Sequence, residues 1–172
     1  ESVMEWLNKR NAIRLTIAAV IFTFMQPAHA DNEFYFTVGG YVDHIGSVGF
    51  VDADTLVYSD WQEGFDNGVL GFEVVDSDGQ YGVGGMGFDN SYYNESVLIY
   101  GSKYWNLSDN LKVGVNIGAV TGYKDWQMYG RYKLDTSLHA LVAPVVVAES
   151  DNMFTKFAIF GNAAVLTFGS KF

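Results

Sequence analysis

The C-terminal end of the chain alternates between two kinds of residue, and this pattern constrains the fold more than any other feature. One face of the predicted last strand carries Ala164, Leu166, Phe168, Ser170 and Phe172, and the other carries Val165, Thr167, Gly169 and Lys171. Successive side chains of a strand point to opposite faces of the sheet. The strand therefore belongs to a sheet with an apolar face and a mixed face. A closed barrel provides two such faces, and it leaves no unpaired edge when its last strand pairs with its first.

The N-terminal part has the three features of a secretory signal. Basic residues come first, an apolar run follows and a small-x-small pattern ends it: Lys9, Arg10 and Arg14, then Leu15 to Met25, then Ala28-His29-Ala30. The run is too short for a transmembrane helix, which needs ~20 apolar residues. We expect a signal peptide over residues 4–30, beginning at Met4, and an exported domain over residues 31–172.

Composition narrows the classes of partner and fold. The net charge of −10 and the lack of a basic stripe disfavour nucleic acid. The chain has no cysteine, so an exported domain must be stabilised by packing and backbone pairing without disulfides. Aromatic residues at 16% together with 19 glycines favour a sheet over a helix bundle.

Turn signals divide the exported part into eight predicted strands. Their ranges are 34–45, 69–75, 80–88, 95–105, 111–121, 138–148, 153–160 and 163–172. An even number of strands joined by alternately long and short connections is typical of bacterial outer-membrane barrels. We therefore predict an all-β fold, an eight-stranded antiparallel up-and-down transmembrane β-barrel that follows a cleavable signal peptide. A secreted β-sandwich is the alternative, since it also consists of short strands at regular spacing.

This topology predicts where polar residues gather. If the N-terminus emerges on the periplasmic side, the connections after strands one, three, five and seven lie outside the cell. His44 and Asp89-Asn90-Ser91 then share the external rim, and Tyr123 to Trp126 lies there as well. A histidine, a hydroxyl and a carboxylate or amide are the groups that activate a nucleophile for acyl transfer. The alternative is that these loops are polar because they face water.

Two stretches of the chain resemble the lipid A palmitoyltransferase (PagP) family of eight-stranded outer-membrane barrels. The first is Asn67 to Phe72, continuing through the Asp78-Gly79 turn and Gly84-Gly85-Met86-Gly87-Phe88 to Tyr92, and the second is Leu111 to Thr121. Family enzymes move a palmitoyl chain from an outer-leaflet phospholipid to lipid A. The resemblance implies that His44 is the general base and that Ser91 is the hydroxyl it activates or a positioning group. Asn90 stands where the family has aspartate, so the resemblance makes it a hydrogen-bonding orienter of His44, although an amide cannot supply the negative charge of aspartate.

The resemblance also implies a lipid site and its partners. The family interior holds an acyl chain above a glycine on its floor, and the matching place here is Gly101 or Ser102. The partners would be outer-membrane phospholipid and lipopolysaccharide, bound by a membrane-embedded monomer that needs no cofactor or metal. The family has an amphipathic helix before its first strand, whereas only Asp31-Asn32-Glu33 separate the expected cleavage site from Phe34.

Two further interpretations stay open at this stage. The acidic first loop, with Asp52, Asp54, Asp60, Glu63 and Asp66, has the hard oxygen ligands that Ca²⁺ prefers, although a solvated acidic loop needs no ion. The second interpretation concerns the function of the whole chain. Asn90 and the missing helix also fit a non-catalytic small outer-membrane barrel with a structural or adhesion role, or with a role at the surface of a phage or its host.

Overall fold

A computed structural model describes residues 32–45, 49–52, 55–61, 63–65, 68–124, 127 and 138–172. The predicted signal peptide and Asp125-Trp126 lie outside these residues. Ten strands are described: β1 Glu33–His44, β2 Gly49–Val51, β3 Tyr58–Asp60, β4 Leu70–Val75, β5 Tyr81–Asp89, β6 Glu95–Ser108, β7 Leu111–Thr121, β8 Leu138–Glu149, β9 Met153–Phe160 and β10 Ala163–Lys171. Within the same residues, no helix is long and apolar enough to cross a bilayer.

Eight of these strands form a closed antiparallel barrel in the order β1, β10, β9, β8, β7, β6, β5, β4. The barrel closes where β1 pairs with β10, from Tyr35↔Lys171 to His44↔Ala163. Phe172 continues this closure, because Phe34 and Phe172 exchange two backbone hydrogen bonds of 2.9 Å. The predicted eight-stranded barrel is confirmed, and the sandwich alternative is excluded.

Apart from shifts of one residue at strand ends, the strands differ from the prediction in two places. β6 extends to Ser108, beyond its predicted end at residue 105, because Asn106 and Ser108 continue the pairing with β7 through an irregularity. The long first connection holds the β2–β3 hairpin, which pairs Gly49↔Asp60 to Val51↔Tyr58. These strands are too short, and too close to glycine and polar residues, to show an alternating pattern.

The two ends of the barrel differ in their connections. The tight turns after β4, β6 and β8 lie at one end with residues 33 and 172, and we call this the turn end. The connections after β1, β5, β7 and β9 lie at the opposite end, which we call the loop end. This is the arrangement that an up-and-down meander imposes.

The outer face of the barrel is apolar along most of its height. Val83, Ile99, Ile117 and Val142 alternate with inward residues on four different strands, and each is 60–65% exposed. Aromatic residues flank this belt. Tyr81 and Trp105 are exposed at the turn end, and Tyr41 packs against Phe65 towards the loop end with ring centroids 5.2 Å apart.

The turn half of the interior is filled by a polar network. Lys156 pairs with Glu73 and lies 2.7 Å from the Tyr104 hydroxyl, while Lys112 pairs with Glu149 at 2.8 Å and with Glu33 at 3.1 Å. Lys171 reaches Glu33 at 2.8 Å. Three lysines therefore balance three glutamates, which is how charge is tolerated inside a barrel.

Two inward glycines on β5 make room for this network. A Cβ on Gly82 would collide with the Glu73 carboxylate, and one on Gly84 would approach the Tyr100 ring to 2.8 Å. The glycine-rich segment of β5 is therefore a packing requirement, because only a residue without a side chain leaves space for Glu73 and Tyr100.

Candidate functional site

The loop half of the interior contains a cavity of about 310 Å³. Its lining is mostly apolar: Val42, Val69, Met86, Phe88, Leu98, Leu141, Phe160 and Val165. Thr167, on β10, adds one inward hydroxyl. Pockets of about 300 to 1,000 Å³ with apolar walls and a few polar groups are typical of small-molecule sites, so the size and lining suit an elongated apolar ligand.

The cavity ends where the polar network begins. Leu98 lines the cavity, and the next inward residue on β6 towards the turn end is Tyr100, which packs against Leu98, Val69 and Met86. The Tyr100 hydroxyl lies 3.4 Å from Glu73, the carboxylate that also pairs with Lys156. An apolar ligand that enters from the loop end is therefore stopped by charged groups, which would be costly to uncover.

The barrel wall is incomplete between β8 and β9 beside the cavity. Their pairing runs only from Val145↔Ala158 to Glu149↔Phe154. Leu138–Pro144 of β8 extend towards the loop end with no β9 partner among the described residues. Pro144 stands where the pairing stops, and proline has no N–H to donate.

The cavity reaches this gap in the wall. It is lined by Ala140 and Val142 of β8, both of which point outward, and by Gly161 and Asn162 of the β9–β10 turn. Contact with outward residues means that the cavity is bordered by the edge of β8 and not only by its inner face. The loop half therefore has a lateral opening onto the apolar outer surface.

A second interruption, between β1 and β4, is covered. These strands pair only from Glu33↔Val75 to Thr37↔Gly71. The returning first loop bridges Val42↔Gly64, and Phe65 packs on the outer rings of Tyr41 and Phe168. Val42 and Val69 line the cavity beside this covered interruption, whereas outward residues of β8 line it at the interruption between β8 and β9.

His44 lies at the rim of the cavity and is held by two residues of the first loop. Its ring stacks on Trp61, with centroids 4.1 Å apart and planes 6° apart. Its Nδ1 and its backbone N each lie 3.2 Å from Oε1 of Glu63. Nε2 forms no hydrogen bond with a described residue, so it is the nitrogen left for a ligand in the cavity.

Asn90 also lines the cavity, but its amide is engaged in local structure. Nδ2 donates to Ser96 Oγ at 2.8 Å and to the Gly122 carbonyl at 2.9 Å. Oδ1 accepts from the backbone N–H groups of Tyr92 and Asn94 at 2.9 and 3.2 Å. Both donors and both lone pairs of the amide are used, so Asn90 closes a turn and does not orient His44.

Ser91 begins that turn and lines the same cavity as His44, with 7% of its surface exposed. Asp89 does not line the cavity. It pairs with Glu95 at the end of β5 and alternates with Phe88 and Asn90, which do line it. The structure thus brings His44, Asn90 and Ser91 to one cavity, as the predicted topology requires.

Gly101 and Ser102 lie elsewhere. Gly101 faces outward on β6 and borders an apolar groove on the outer surface, so it does not form an interior floor. Ser102 points inward, but below the cavity, where its hydroxyl lies 2.6 Å from Glu73 and 2.9 Å from Asn116 Oδ1. The inward position that bounds the cavity on β6 is Tyr100.

Aromatic rings surround the mouth of the cavity. Phe50 packs on Trp61 and on Tyr92 at centroid distances of 4.9 and 4.6 Å, and Tyr92 contacts Tyr123 at 6.0 Å. Burial raises the pKa of Tyr92. Burial, with a smaller contribution from Tyr92, also raises the pKa of Tyr123. Both phenols therefore stay neutral at physiological pH and keep the mouth apolar.

The acidic first loop shows no metal site in the part of the chain that the structure describes, where no group of three His, Asp or Glu side chains converges. Asp54 and Asp66 lie outside that part. Asp52 accepts a hydrogen bond from Thr55 N at 2.9 Å and pairs with Lys124 at 3.7 Å, so this carboxylate holds the loop together.

Sequence reasoning missed two residues of the site, Trp61 and Glu63. Both lie in the irregular return of the first loop, where no periodic pattern indicates which way a side chain points. Glu63 was recognised only as one of several acidic loop residues. Its contact with His44 depends on the bridge Val42↔Gly64, a long-range pairing that no local signal announces.

No protein-family model and no curated protein sequence matches this chain. Two solved structures of Ail, the attachment invasion locus protein of Yersinia pestis, are similar to it at 12% identity, and one of them is a complex with the heparin analogue sucrose octasulfate. Each likeness covers 83% of this chain and 99% of Ail, with TM-scores of 0.39 and 0.35. Similarity at this level says nothing about activity, and membership of the lipid A palmitoyltransferase family stays a prediction.

Proposed function

We propose that this chain is an outer-membrane barrel that binds one acyl chain of an outer-leaflet phospholipid and transfers it to lipid A. The outer belt supports the location, because apolar side chains flanked by aromatic residues match a bilayer core and its interfaces. The single observation that carries the lipid site is the apolar cavity, open sideways between β8 and β9 onto that belt.

Such an opening suits a lipid ligand in particular. A soluble ligand would enter from the loop end, through water. An acyl chain can move sideways from the lipid phase into the cavity while its headgroup stays at the interface, and it never crosses water. Burying each CH₂ contributes about 0.8 kcal/mol, although a chain that leaves lipid for the cavity gains only the difference in packing between the two.

The polar groups at the rim suit acyl transfer. The acceptor hydroxyl attacks the ester carbonyl of the phospholipid while Nε2 of His44 takes its proton. The bond from the carbonyl carbon to the glycerol oxygen then breaks, and the proton passes from His44 to that leaving oxygen. Ser91 lines the same cavity and positions the ester by hydrogen bonding.

Expression in a bacterium that lacks its own palmitoyltransferase tests this reaction. Mass spectrometry of lipid A should show the mass of one added acyl chain, and His44→Ala should remove it. Heat-dependent migration on detergent gels checks that each barrel is folded. A folded wild-type barrel that adds no acyl mass would exclude the transferase.

A second function, a non-catalytic surface role, is favoured by the β2–β3 hairpin. Val51, Leu56, Val57 and Tyr58 are each more than half exposed there, and solvent-exposed apolar clusters are typical of interaction sites. Ail is described as an attachment invasion locus protein, but its bound sulfated sugar does not suit a chain with a net charge of −10. A barrel that adds no acyl mass, yet loses binding to host cells on Leu56→Ser, would establish this role.

A further inference from the structure

The carboxylate nearest His44 comes from the first loop and not from the turn that carries Asn90. Oε1 of Glu63 lies 3.2 Å from both Nδ1 and the backbone N of His44. Glu63 is the residue before Gly64, which exchanges two backbone hydrogen bonds of 3.0 and 2.8 Å with Val42. Because Val42 is two residues before His44, this backbone bridge holds the backbone of Glu63 close to the histidine.

The ring of His44 is fixed in two directions. Trp61 sets its plane by stacking, and Glu63 sets its rotation by bonding Nδ1. A carboxylate only accepts hydrogen bonds, so Nδ1 must carry the proton when this contact forms. In the neutral ring Nε2 then has the free lone pair, which is the form that acts as a base.

Asn90 cannot take this part. Its Nδ2 donates to Ser96 and to the Gly122 carbonyl, and its Oδ1 accepts two backbone N–H groups. An aspartate at position 90 would have no N–H to offer and would face the Gly122 carbonyl with a negative charge. The turn thus requires an amide at position 90. Comparison with the family alone would treat this amide as the loss of a catalytic aspartate.

We infer that Glu63 is the positioning residue of this site: it holds His44 with Nδ1 protonated and stabilises the imidazolium that forms during transfer. The catalytic half of this inference rests on the proposed function, whereas the effect on the ring holds with or without transfer. Two carboxylates act on His44, those of Glu63 and of its chain neighbour Asp43. Asp43 faces outward on β1 and forms no hydrogen bond with the ring.

The test compares Glu63→Gln with Asp43→Asn, which removes the same charge next to His44 without removing the bond. Nitrogen NMR of the histidine-labelled barrel in micelles reports which ring nitrogen carries the proton, and the chain has only three histidines to assign. In wild type and Asp43→Asn, Nδ1 of neutral His44 should be protonated. In Glu63→Gln the population should move towards the form with the proton on Nε2. An unchanged ring in the folded Glu63→Gln barrel would overturn the inference.

Lipid A acylation is the second measurement. Glu63→Gln should lower kcat roughly 10-fold or more with little change in KM, because an orienting carboxylate acts mainly in the transition state. The acid limb of the pH profile should also move to lower pH, since a neutral partner no longer favours the protonated ring. Asp43→Asn should retain most of the activity.

The variant Asn90→Asp tests whether the carboxylate that positions His44 belongs at position 63 or at position 90. Transfer should not rise above wild type, and the folded fraction should fall because two donated hydrogen bonds are lost. Faster transfer by Asn90→Asp, with Glu63→Gln unaffected, would place the carboxylate at position 90 and overturn the inference. If wild type adds no acyl mass while Glu63→Gln still changes the ring, the transferase function fails and the positioning of His44 by Glu63 stands.

Discussion

The two halves of the barrel interior are built in opposite ways. The turn half is filled with side chains and holds three lysines against three glutamates, whereas the loop half leaves an apolar space of about 310 Å³. Both halves are enclosed by the same eight strands. An eight-stranded barrel is just narrow enough for side chains to fill it, so the hollow half is a property of the chosen side chains and not of the strand number.

The comparison also explains how a barrel with an interrupted wall remains stable. The turn half supplies cross-barrel contacts between distant strands, for example Lys156 of β9 with Glu73 of β4 and Lys112 of β7 with Glu33 of β1. The loop half can then leave β8 and β9 unpaired beside the cavity. The charged network and the apolar cavity are thus separated along the barrel axis.

The largest effect is expected from Lys156→Met in the turn half. Lys156 is the cation of the buried Glu73, and both side chains are at most 5% exposed. Removing one partner of a buried pair leaves an uncompensated charge, which costs about 3–5 kcal/mol. The free energy of unfolding should fall by that amount in a urea titration of the detergent-folded barrel.

Its matched control is Lys103→Met, since Lys103 bonds Gln80 at the exposed turn end. That change should stay within about 0.5 kcal/mol. The double variant Glu73→Gln with Lys156→Met should recover part of the loss, because it removes both charges. An equal loss for Lys103→Met and Lys156→Met would show that the network is not what stabilises the turn half.

The next effect compares one enlarged side chain in each half. Val147→Phe lies in the packed turn half, where Val147 is 1% exposed, and overpacking costs about 1–3 kcal/mol. Val165→Phe lies on the cavity wall and has space to enter. We expect Val147→Phe to lower the free energy of unfolding and Val165→Phe to leave it nearly unchanged while abolishing uptake of a fluorescent fatty acid. A Val165→Phe barrel that binds the probe as well as wild type would exclude the cavity as the lipid site.

The pattern of the strands, and little of the site, could be predicted from the sequence. β7 was predicted at its observed bounds because apolar residues alternate strictly with glycine or polar residues along it, from Leu111 and Lys112 to Ile117 and Gly118. Alternation in the sequence indicates which residues lie on each face of a strand. Closure of an up-and-down barrel then determines the order of the strands. It does not report how far a pairing extends, so the opening above Pro144 was not predicted.

The site was predicted where topology alone determines position. His44, Asn90 and Ser91 reach one cavity because strand ends of an up-and-down barrel meet at a common rim. The partner of His44 was missed because Glu63 lies in the irregular connection between β3 and β4. The role of Asn90 was missed because its amide bonds two N–H groups of its own turn and also Ser96 and Gly122, contacts that no periodic pattern indicates. Gly101 and Ser102 were given as alternatives for the floor of the lipid site, and neither lines the cavity. A shift of one residue along a strand moves a side chain to the other face, and Tyr100 is the inward neighbour.

The smallest effect on stability is expected from a label placed at the lateral opening between β8 and β9. The same label tests most directly whether lipid enters the loop half through this opening. The chain has no cysteine, so a single one can be labelled with a bulky maleimide. Val142 faces outward at the opening and lines the cavity, whereas Val146 faces outward where β8 pairs with β9 through Val146↔Phe157. Label at Val142→Cys should slow uptake of the fluorescent fatty acid from vesicles at least several-fold, and label at Val146→Cys should not. Both labelled barrels should unfold within about 0.5 kcal/mol of their unlabelled forms, because surface changes of this kind remove no buried contact. Equal uptake by both would mean that lipid enters from the loop end, past Trp61 and Tyr92, and that the gap between β8 and β9 serves some purpose other than access.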